Sequence, residues 1–274
     1  MARLVDEDPS LHLGRNMDTA ETVISGAGET HLEVAVDKAK RKFGVELLLQ
    51  PPKVYYKETI TRNIKAEYKH KKQSGGHGQY GHVFLELEPL GSGDGVAFDQ
   101  KVVGGAVPRE YIPAVEKGVV KSLSDGVVAG FPVVDLKVTL FDGSFHPVDS
   151  SGMSFEIAGN YAIRKGVLEA APTILEPVHH LEITVPEAYA GEVMGDLNSK
   201  RGRIAGMNPT DKGYTLIEAD APEVEIQKYA TDLRSLTQGR GSFSSSFSHY
   251  EAVPQNLLDS VIENAKKQRD EVLG

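Results

Sequence analysis

The sequence contains no cysteine and no long apolar run. The absence of cysteine excludes disulfide bonds and thiolate metal sites, and it fits a reducing compartment. Because no stretch approaches roughly eighteen consecutive apolar residues, we expect no membrane-spanning helix. The first residues lack the apolar core of a secretory signal. We therefore expect a cytoplasmic protein that has no membrane association.

Motifs of nucleotide-binding enzymes are missing or lie in the wrong context. No Gly-x-x-x-x-Gly-Lys-Ser/Thr sequence occurs, so no P-loop is present. The spacing Gly76-x-Gly78-x-x-Gly81 matches the dinucleotide fingerprint, but a strand is predicted to follow it where that site requires a helix. A nucleotide-binding enzyme that uses the loop at residues 76–81 is kept as an alternative hypothesis.

The nine histidines raise the question of a metal site. His179 and His180 are neighbours on a predicted strand, so their side chains should point to opposite faces. With no cysteine and no His-Glu-x-x-His helix, we predict no catalytic zinc. Ser144, His146 and Asp149 could be drawn as a catalytic triad, but no nucleophile elbow accompanies them. We predict no catalytic, metal-ligating or cofactor-binding residue in this chain.

The charge of the chain is unevenly distributed. The net charge is −9, which at first argues against nucleic acid as a partner. Residues 53–72 nevertheless carry seven basic and two acidic side chains, a local charge of about +5. A basic arm that leads to a glycine-rich loop is the pattern expected of phosphate contact.

That glycine-rich loop follows directly, at residues 73–83. Four glycines in seven residues predict an exposed, flexible loop outside any strand. The alternation of Val83, Leu85 and Leu87 predicts a strand after it. Asp142-Gly143 is a hairpin turn signal, with residues 144–149 as the returning arm. His146 should then lie at a hairpin end, where its ring could contact RNA.

Hydrophobic periodicity divides the chain into three modules of an α+β protein. Residues 1–52 show two strands (10–15 and 21–25), a helix (30–43) and a strand (45–49), which is an incomplete ferredoxin-like set. Residues 53–172 contain the basic arm, the glycine loop and two helices. Residues 173–274 read as a complete β-α-β-β-α-β series followed by an amphipathic helix.

Eight segments in this order and spacing resemble the C-terminal part of bacterial translation elongation factor G. The likeness covers essentially the whole chain. The segments that carry it are residues 25–33 (Ser-Gly-Ala-Gly-Glu-Thr-His-Leu-Glu), 73–82 (Gln-Ser-Gly-Gly-His-Gly-Gln-Tyr-Gly-His), 104–115, 130–135 (Gly-Phe-Pro-Val-Val-Asp), 142–146, 148–151, 195–198 and 229–243.

The resemblance implies an architecture for each module. Residues 1–52 would be a truncated, ferredoxin-like domain III that lacks its first strand and helix. Residues 53–172 would be the ribosomal-protein-S5-like domain IV, and residues 173–274 a ferredoxin-like domain V with a C-terminal helix. The GTPase domain, with its GTP and Mg, would lie upstream, so this part would itself be non-catalytic.

The resemblance also implies partners and contact residues. Such proteins use GTP hydrolysis to move tRNA and mRNA through the ribosome, and they act with the ribosome recycling factor. As a monomer, the chain would contact ribosomal RNA of both subunits and the tRNA–mRNA complex. Arg234 and Arg240 would face the large subunit. The domain IV tip at the small-subunit decoding site would comprise Gly75, Gly76, His77, Gly78, Gln79, Tyr80, Gly81, Asp142, Gly143, Ser144, His146, Asp149 and Ser150.

Several positions depart from the family pattern. Ala27 and Thr30 replace the usual Met and Leu, Pro147 and Gly152 replace acidic residues, and residues 222–228 are more polar than usual. A paralogue specialised for ribosome recycling or ribosome protection is therefore the alternative to a housekeeping translocase.

Overall fold

The computed structural model describes residues 2–16, 19, 21–73, 78–210 and 213–273. They form two compact units, residues 1–55 with 176–249 (the first unit) and residues 56–175 with 250–274 (the second unit). The helices are α1 (Ala2–Glu7), α2 (Glu29–Phe43), α3 (Ile112–Asp125), α4 (Gly152–Glu169), α5 (Glu187–Ser199), α6 (Glu223–Ile226), α7 (Tyr229–Leu236) and α8 (Gln255–Leu273). The strands are β1 (His12–Arg15), β2 (Thr22–Ser25), β3 (Lys57–Ile60), β4 (Ile64–Gln73), β5 (Gly78–Pro89), β6 (Val96–Gln100), β7 (Leu136–Ser144), β8 (Pro172–Pro186), β9 (Arg203–Thr210), β10 (Tyr214–Pro222) and β11 (Ser242–Ala252).

The second unit is built on a four-stranded sheet in the order β4-β5-β7-β6. β4 and β5 form a long antiparallel hairpin, β7 is antiparallel to β5, and β6 runs parallel to β7. The alternation predicted for β5 is confirmed, because Val83, Leu85 and Leu87 are fully buried. They pack with residues of α3 and α4, such as Val115 and Phe155, in one core.

The C-terminal helix α8 belongs to this second unit. Its apolar stripe packs on Ala129, Ile174 and Val253. The predicted amphipathic helix is therefore present and docked. In the described part of the chain, no helix combines the length and the apolar character needed to cross a membrane.

The first unit contains a sheet in the order β11-β8-β10-β9, covered on one face by α5 and α7. The order of β8, α5, β9, β10, α7 and β11 confirms the predicted β-α-β-β-α-β series. One predicted helix, over residues 224–238, is divided into α6 and α7. Ile226 and Tyr229, on either side of the break, are both buried in the core.

The N-terminal segment of the first unit differs from prediction in two places. A helix, α1, occupies Ala2–Glu7, where none was predicted, and it buries Leu4. The predicted strand at residues 45–49 does not form; residues 44–56 have no regular secondary structure. A strand requires a paired edge, and the sheet described in this segment contains β1 and β2 alone. The helix stop at Gly44 is confirmed by its left-handed backbone, with φ 67°.

Candidate nucleic-acid interface

Two segments of the second unit meet at one end of its sheet, and we call residues 78–82 and 142–153 together the tip. β4 and β5 pair up to Gln73 and Gly78, where their hairpin ends. On the other side of β5, His82 lies opposite Ser144 and Val83 lies opposite Gly143. The sequence placed both segments at hairpin ends, and the structure brings them side by side. Gly75, Gly76 and His77 lie outside the described residues.

Asp149 and Ser150 fasten the second segment to the first. The backbone N–H of Gly78 donates to Asp149 Oδ1 at 3.0 Å, and the N–H of Tyr80 donates to the carbonyl oxygen of Asp149 at 2.9 Å. The Ser150 hydroxyl donates to the carbonyl oxygen of Tyr80 at 2.9 Å. Each contact joins residues about seventy positions apart in sequence, so the tip is a tertiary structure and not a local turn.

His146 lies in the turn between β7 and α4 with half of its side chain exposed. Its Nδ1 accepts the backbone N–H groups of Val148, at 3.3 Å, and Asp149, at 3.2 Å. Nδ1 also lies 3.3 Å from Asp149 Oδ2, so this ring nitrogen is engaged within the turn. The Tyr80 ring lies 6.3 Å from the His146 ring, measured between centroids. The tip thus presents an oriented imidazole beside a phenol ring.

A polar cluster contacts the Tyr80 side chain. Ser144 Oγ lies 2.7 Å from the Tyr80 hydroxyl and 3.1 Å from His82 Nδ1. Burial lowers the pKa of His82. The Ser144 hydroxyl is thus engaged by Tyr80 and His82.

The glycines of the tip serve a different purpose from the one predicted. Gly78 and Gly81 were assigned to a flexible loop outside any strand, which is wrong, because both lie within β5. A Cβ on Gly81 would come within 2.6 Å of the Ser154 carbonyl oxygen in α4. Gly81 therefore permits α4 to approach β5 closely. Glycine has a weak strand propensity, so the sequence predicted a loop here and not this contact.

The predicted hairpin turn at Asp142-Gly143 is also wrong. β7 continues through both residues to Ser144, and residues 145–150 turn instead of returning as a strand. The register between β5 and β7 shifts at Phe84 and Leu85, which marks a bulge. A Cβ on Gly143 would lie 2.4 Å from the His82 carbonyl oxygen, so this glycine fits a tight strand contact and not a turn.

The basic arm runs along β4 toward the tip. Lys69 Nζ lies 5.4 Å from the centre of the Tyr80 ring, which suits a cation–π contact. Lys71 and Lys72 are exposed at the end of the hairpin, opposite Tyr80 and Gln79. Gln79 Oε1 lies 2.9 Å from His70 Nε2. Positive charge, amide and aromatic groups therefore share one end of the sheet.

Three apolar side chains of the tip were not singled out from the sequence. Phe145, Val148 and Met153 are 44%, 65% and 68% exposed. Phe145 and Val148 lie in the turn between β7 and α4, and Met153 lies in the first turn of α4. Apolar residues around a strand-to-helix turn are the signal that would have found them. Their flat or flexible surfaces can pack against unpaired bases, which polar groups alone contact weakly.

Arg234 and Arg240, the predicted large-subunit contacts, lie in the first unit. Arg234 Nη2 donates to the carbonyl oxygen of Ala27. The guanidinium of Arg240 lies 4.8 Å from the centre of the Tyr189 ring and also donates to the Tyr189 hydroxyl. Both side chains are thus positioned by contacts within the chain.

The family models and the relative that match this chain carry the name of one family. Family models match residues 1–51 (Elongation Factor G, domain III), 52–171 (Elongation factor G, domain IV) and 173–261 (Elongation factor G C-terminus). An "Elongation factor G-like protein" of Thermotoga maritima is 47% identical over 271 residues, which are 99% of this chain and 40% of that protein. A crystal structure of a Thermus thermophilus protein is similar with a TM-score of 0.83 and 39% identity, over 97% of this chain and 40% of the other. The mixed α/β architecture, with ferredoxin-like and S5-like domains, agrees with these matches, and the chain belongs to the elongation factor G family.

Proposed function

We propose that this chain supplies ribosome-contacting domains of a translational GTPase, and that its tip enters the decoding site of the small subunit during translocation of tRNA and mRNA. The observation that carries the proposal is the joining of residues 78–82 to residues 142–153 through Asp149 and Ser150. One rigid end of the sheet then offers hydrogen-bond donors, rings and positive charge together.

The chemistry of the tip suits RNA better than a small nucleotide. The half-exposed His146 offers its ring as a hydrogen-bonding and stacking group for a base or a phosphate. Lys71 and Lys72, at the hairpin end, can neutralise phosphates, so the affinity should fall as salt rises. Phe145 and Val148 add apolar surface for an unstacked base. Residues 78–81 lie within β5, and the helix N-terminus that a dinucleotide site needs does not follow them.

The remaining parts of the proposal concern partners and the nucleotide. Arg234 and Arg240 are proposed to contact large-subunit RNA. GTP and Mg are assigned to the part of the family's proteins that this chain does not span, so the chain itself is proposed to be non-catalytic. A monomer in the cytoplasm that meets ribosomes, the tRNA–mRNA complex and the ribosome recycling factor fits this assignment.

The test is His146→Ala in the full-length GTPase. We expect slower single-round translocation with little change in ribosome-stimulated GTP hydrolysis, because the ring is proposed to act on RNA and not on the nucleotide. His12→Ala, on the exposed strand β1, is the matched control and should leave both rates unchanged. Equal losses of translocation and GTP hydrolysis would contradict a role for the tip in the decoding site.

A paralogue specialised for ribosome recycling is the second candidate. It is favoured by departures from the family pattern such as Pro147 and Gly152. A paralogue of this kind would split ribosomes with the recycling factor while supporting little translocation. Measuring both activities of one preparation separates the two candidates.

Calorimetry of this chain with ATP, GTP and NAD tests the nucleotide-enzyme alternative, which micromolar binding would revive.

A further inference from the structure

Three metal-ligating side chains converge on the sheet of the first unit, on the face opposite its core. His180 and Glu182 lie on β8, Glu218 lies on β10, and their donor atoms all lie within 4.8 Å of one another. The alternating neighbours Leu181 and Ile217 are fully buried, so the three ligands point away from the core. We propose that His180, Glu182 and Glu218 bind one divalent cation of the zinc class.

The register of the two strands gives an independent reason for a cation at this place. Glu182 lies directly opposite Glu218, and His180 lies directly opposite Asp220. Two carboxylates that face each other across neighbouring strands destabilise a sheet. A divalent cation between Glu182 and Glu218 converts that repulsion into attraction.

The histidine is oriented as a metal ligand. His180 Nδ1 lies 2.9 Å from Asp220 Oδ1, so Nδ1 carries the proton and Nε2 keeps its lone pair. Metal-binding histidines typically donate their second ring nitrogen to a carboxylate in this way. Asp220 is therefore a positioning residue and not a ligand.

The flanking strands β9 and β11 place a hydroxyl, a glycine and an arginine around this group of side chains. The Ser244 hydroxyl, from β11, donates to Glu182 Oε2 at 3.3 Å. On β9, Gly206 lies opposite Glu218, and a Cβ there would come within 2.9 Å of Glu218 Oε2. Arg203, the basic residue on this strand, lies opposite Asp220 and so stands beside the positioning residue.

The donor set selects the class of metal. One imidazole and two carboxylates suit zinc, with nickel and cobalt as competitors, whereas calcium and magnesium prefer oxygen ligands alone. Bonds of about 2.0–2.2 Å to a tetrahedral ion place donors about 3.4 Å apart. Donors as far apart as 4.8 Å must therefore close by about 1.4 Å, through rotation of the Glu and His side chains. Three protein ligands leave one position for water.

The test is calorimetric titration of this chain with zinc chloride after removal of metal by EDTA and dialysis. We expect one ion per chain, at least a hundredfold weaker binding by His180→Ala, and a loss of about 10–100-fold by Asp220→Asn, as for other residues that orient metal ligands. His12→Ala is the matched control and should bind like the parent. Calcium or magnesium should not compete.

Glu218→Gln gives a second measurement, because it should raise the melting temperature without metal and remove the stabilisation by zinc. Without metal this variant should melt at a higher temperature than the parent, because one of two facing charges is gone. With zinc it should lose the rise in melting temperature that the parent shows. The proposal is overturned if the parent binds no zinc, if His180→Ala and Glu218→Gln bind as tightly as the parent, or if magnesium competes equally.

Discussion

Glu58 holds a loop of the second unit through one buried carboxylate, and its replacement is the sharpest test of how this unit is stabilised. The side chain is fully buried. Oε2 accepts the backbone N–H groups of Val127 and Val128 at 2.8 and 2.9 Å. Oε1 accepts those of Ala129, Gly130 and Phe131 at 2.8, 3.0 and 3.1 Å.

Glu58→Gln keeps the shape of the side chain and changes its chemistry. The amide oxygen can still accept from Ala129, Gly130 and Phe131. The NH₂ group, however, faces the N–H groups of Val127 and Val128, so two hydrogen bonds become contacts between donors. A hydrogen bond to a charged group contributes about 1.5–3 kcal/mol, so the expected loss is about 3 kcal/mol or more. That is a large part of the stability of about 5–15 kcal/mol that is typical of a domain.

Urea unfolding measures this loss as a shift in the transition midpoint at unchanged slope. Limited proteolysis should also find residues 126–131 more readily cut in the variant. The matched control is Glu86→Gln in the same unit, since Glu86 makes a partly exposed ion pair with Lys65 at 3.7 Å. Its effect should stay below about 1 kcal/mol. A Glu58→Gln variant as stable as Glu86→Gln would refute the argument that the carboxylate organises the loop.

Three further substitutions test individual contacts. Gly81→Ala should destabilise the second unit by about 1–3 kcal/mol in urea unfolding, because its Cβ would press on the Ser154 carbonyl oxygen. Tyr229→Phe should be neutral or stabilising in the same assay, since the buried Tyr229 hydroxyl has no hydrogen-bond partner among the described residues; a large loss would show a partner. Burial lowers the pKa of His82 below its ordinary 6.5, so its contribution to stability is complete above pH 6.5 and is lost as the pH falls through the folded-state value. Unfolding at pH 5 and pH 7.5 should show this loss in the parent and less of it in His82→Gln.

Periodicity predicted most of the fold because the core faces one side of each element. The alternation predicted for β5 was found buried, and so were Val115 and Val119 in α3, one of the two helices predicted for residues 53–172. The predicted strand at residues 45–49 failed for the opposite reason: its pattern suits a strand, but pairing is a property of the neighbours and not of the segment. The same limit concealed Glu58, whose five partners lie about seventy residues away.

The sequence predicted which two segments form the candidate interface, but it did not predict the contacts that hold them together. A hairpin end at residues 73–83 and a second turn near His146 followed from glycine and Asp-Gly signals. In the structure, Gly81 and Gly143 instead allow close backbone contacts between strands and a helix or another strand. A glycine in the sequence is equally compatible with a turn and with such a contact, so the sequence alone does not distinguish them. The hydrogen bonds of Asp149 and Ser150 also join segments that are distant in sequence, so no local sequence pattern predicts them.

The same glycine contacts bear on how the tip would meet RNA. A flexible loop loses conformational entropy when it binds, whereas a preformed surface does not. In the described part of the tip, Gly78 is bonded to Asp149, Tyr80 is bonded at its carbonyl oxygen, and Gly143 packs against the backbone of His82. His146 is likewise oriented by two backbone N–H groups. The described tip is therefore preorganised, because contacts within the second unit hold its rings and hydrogen-bonding groups in place.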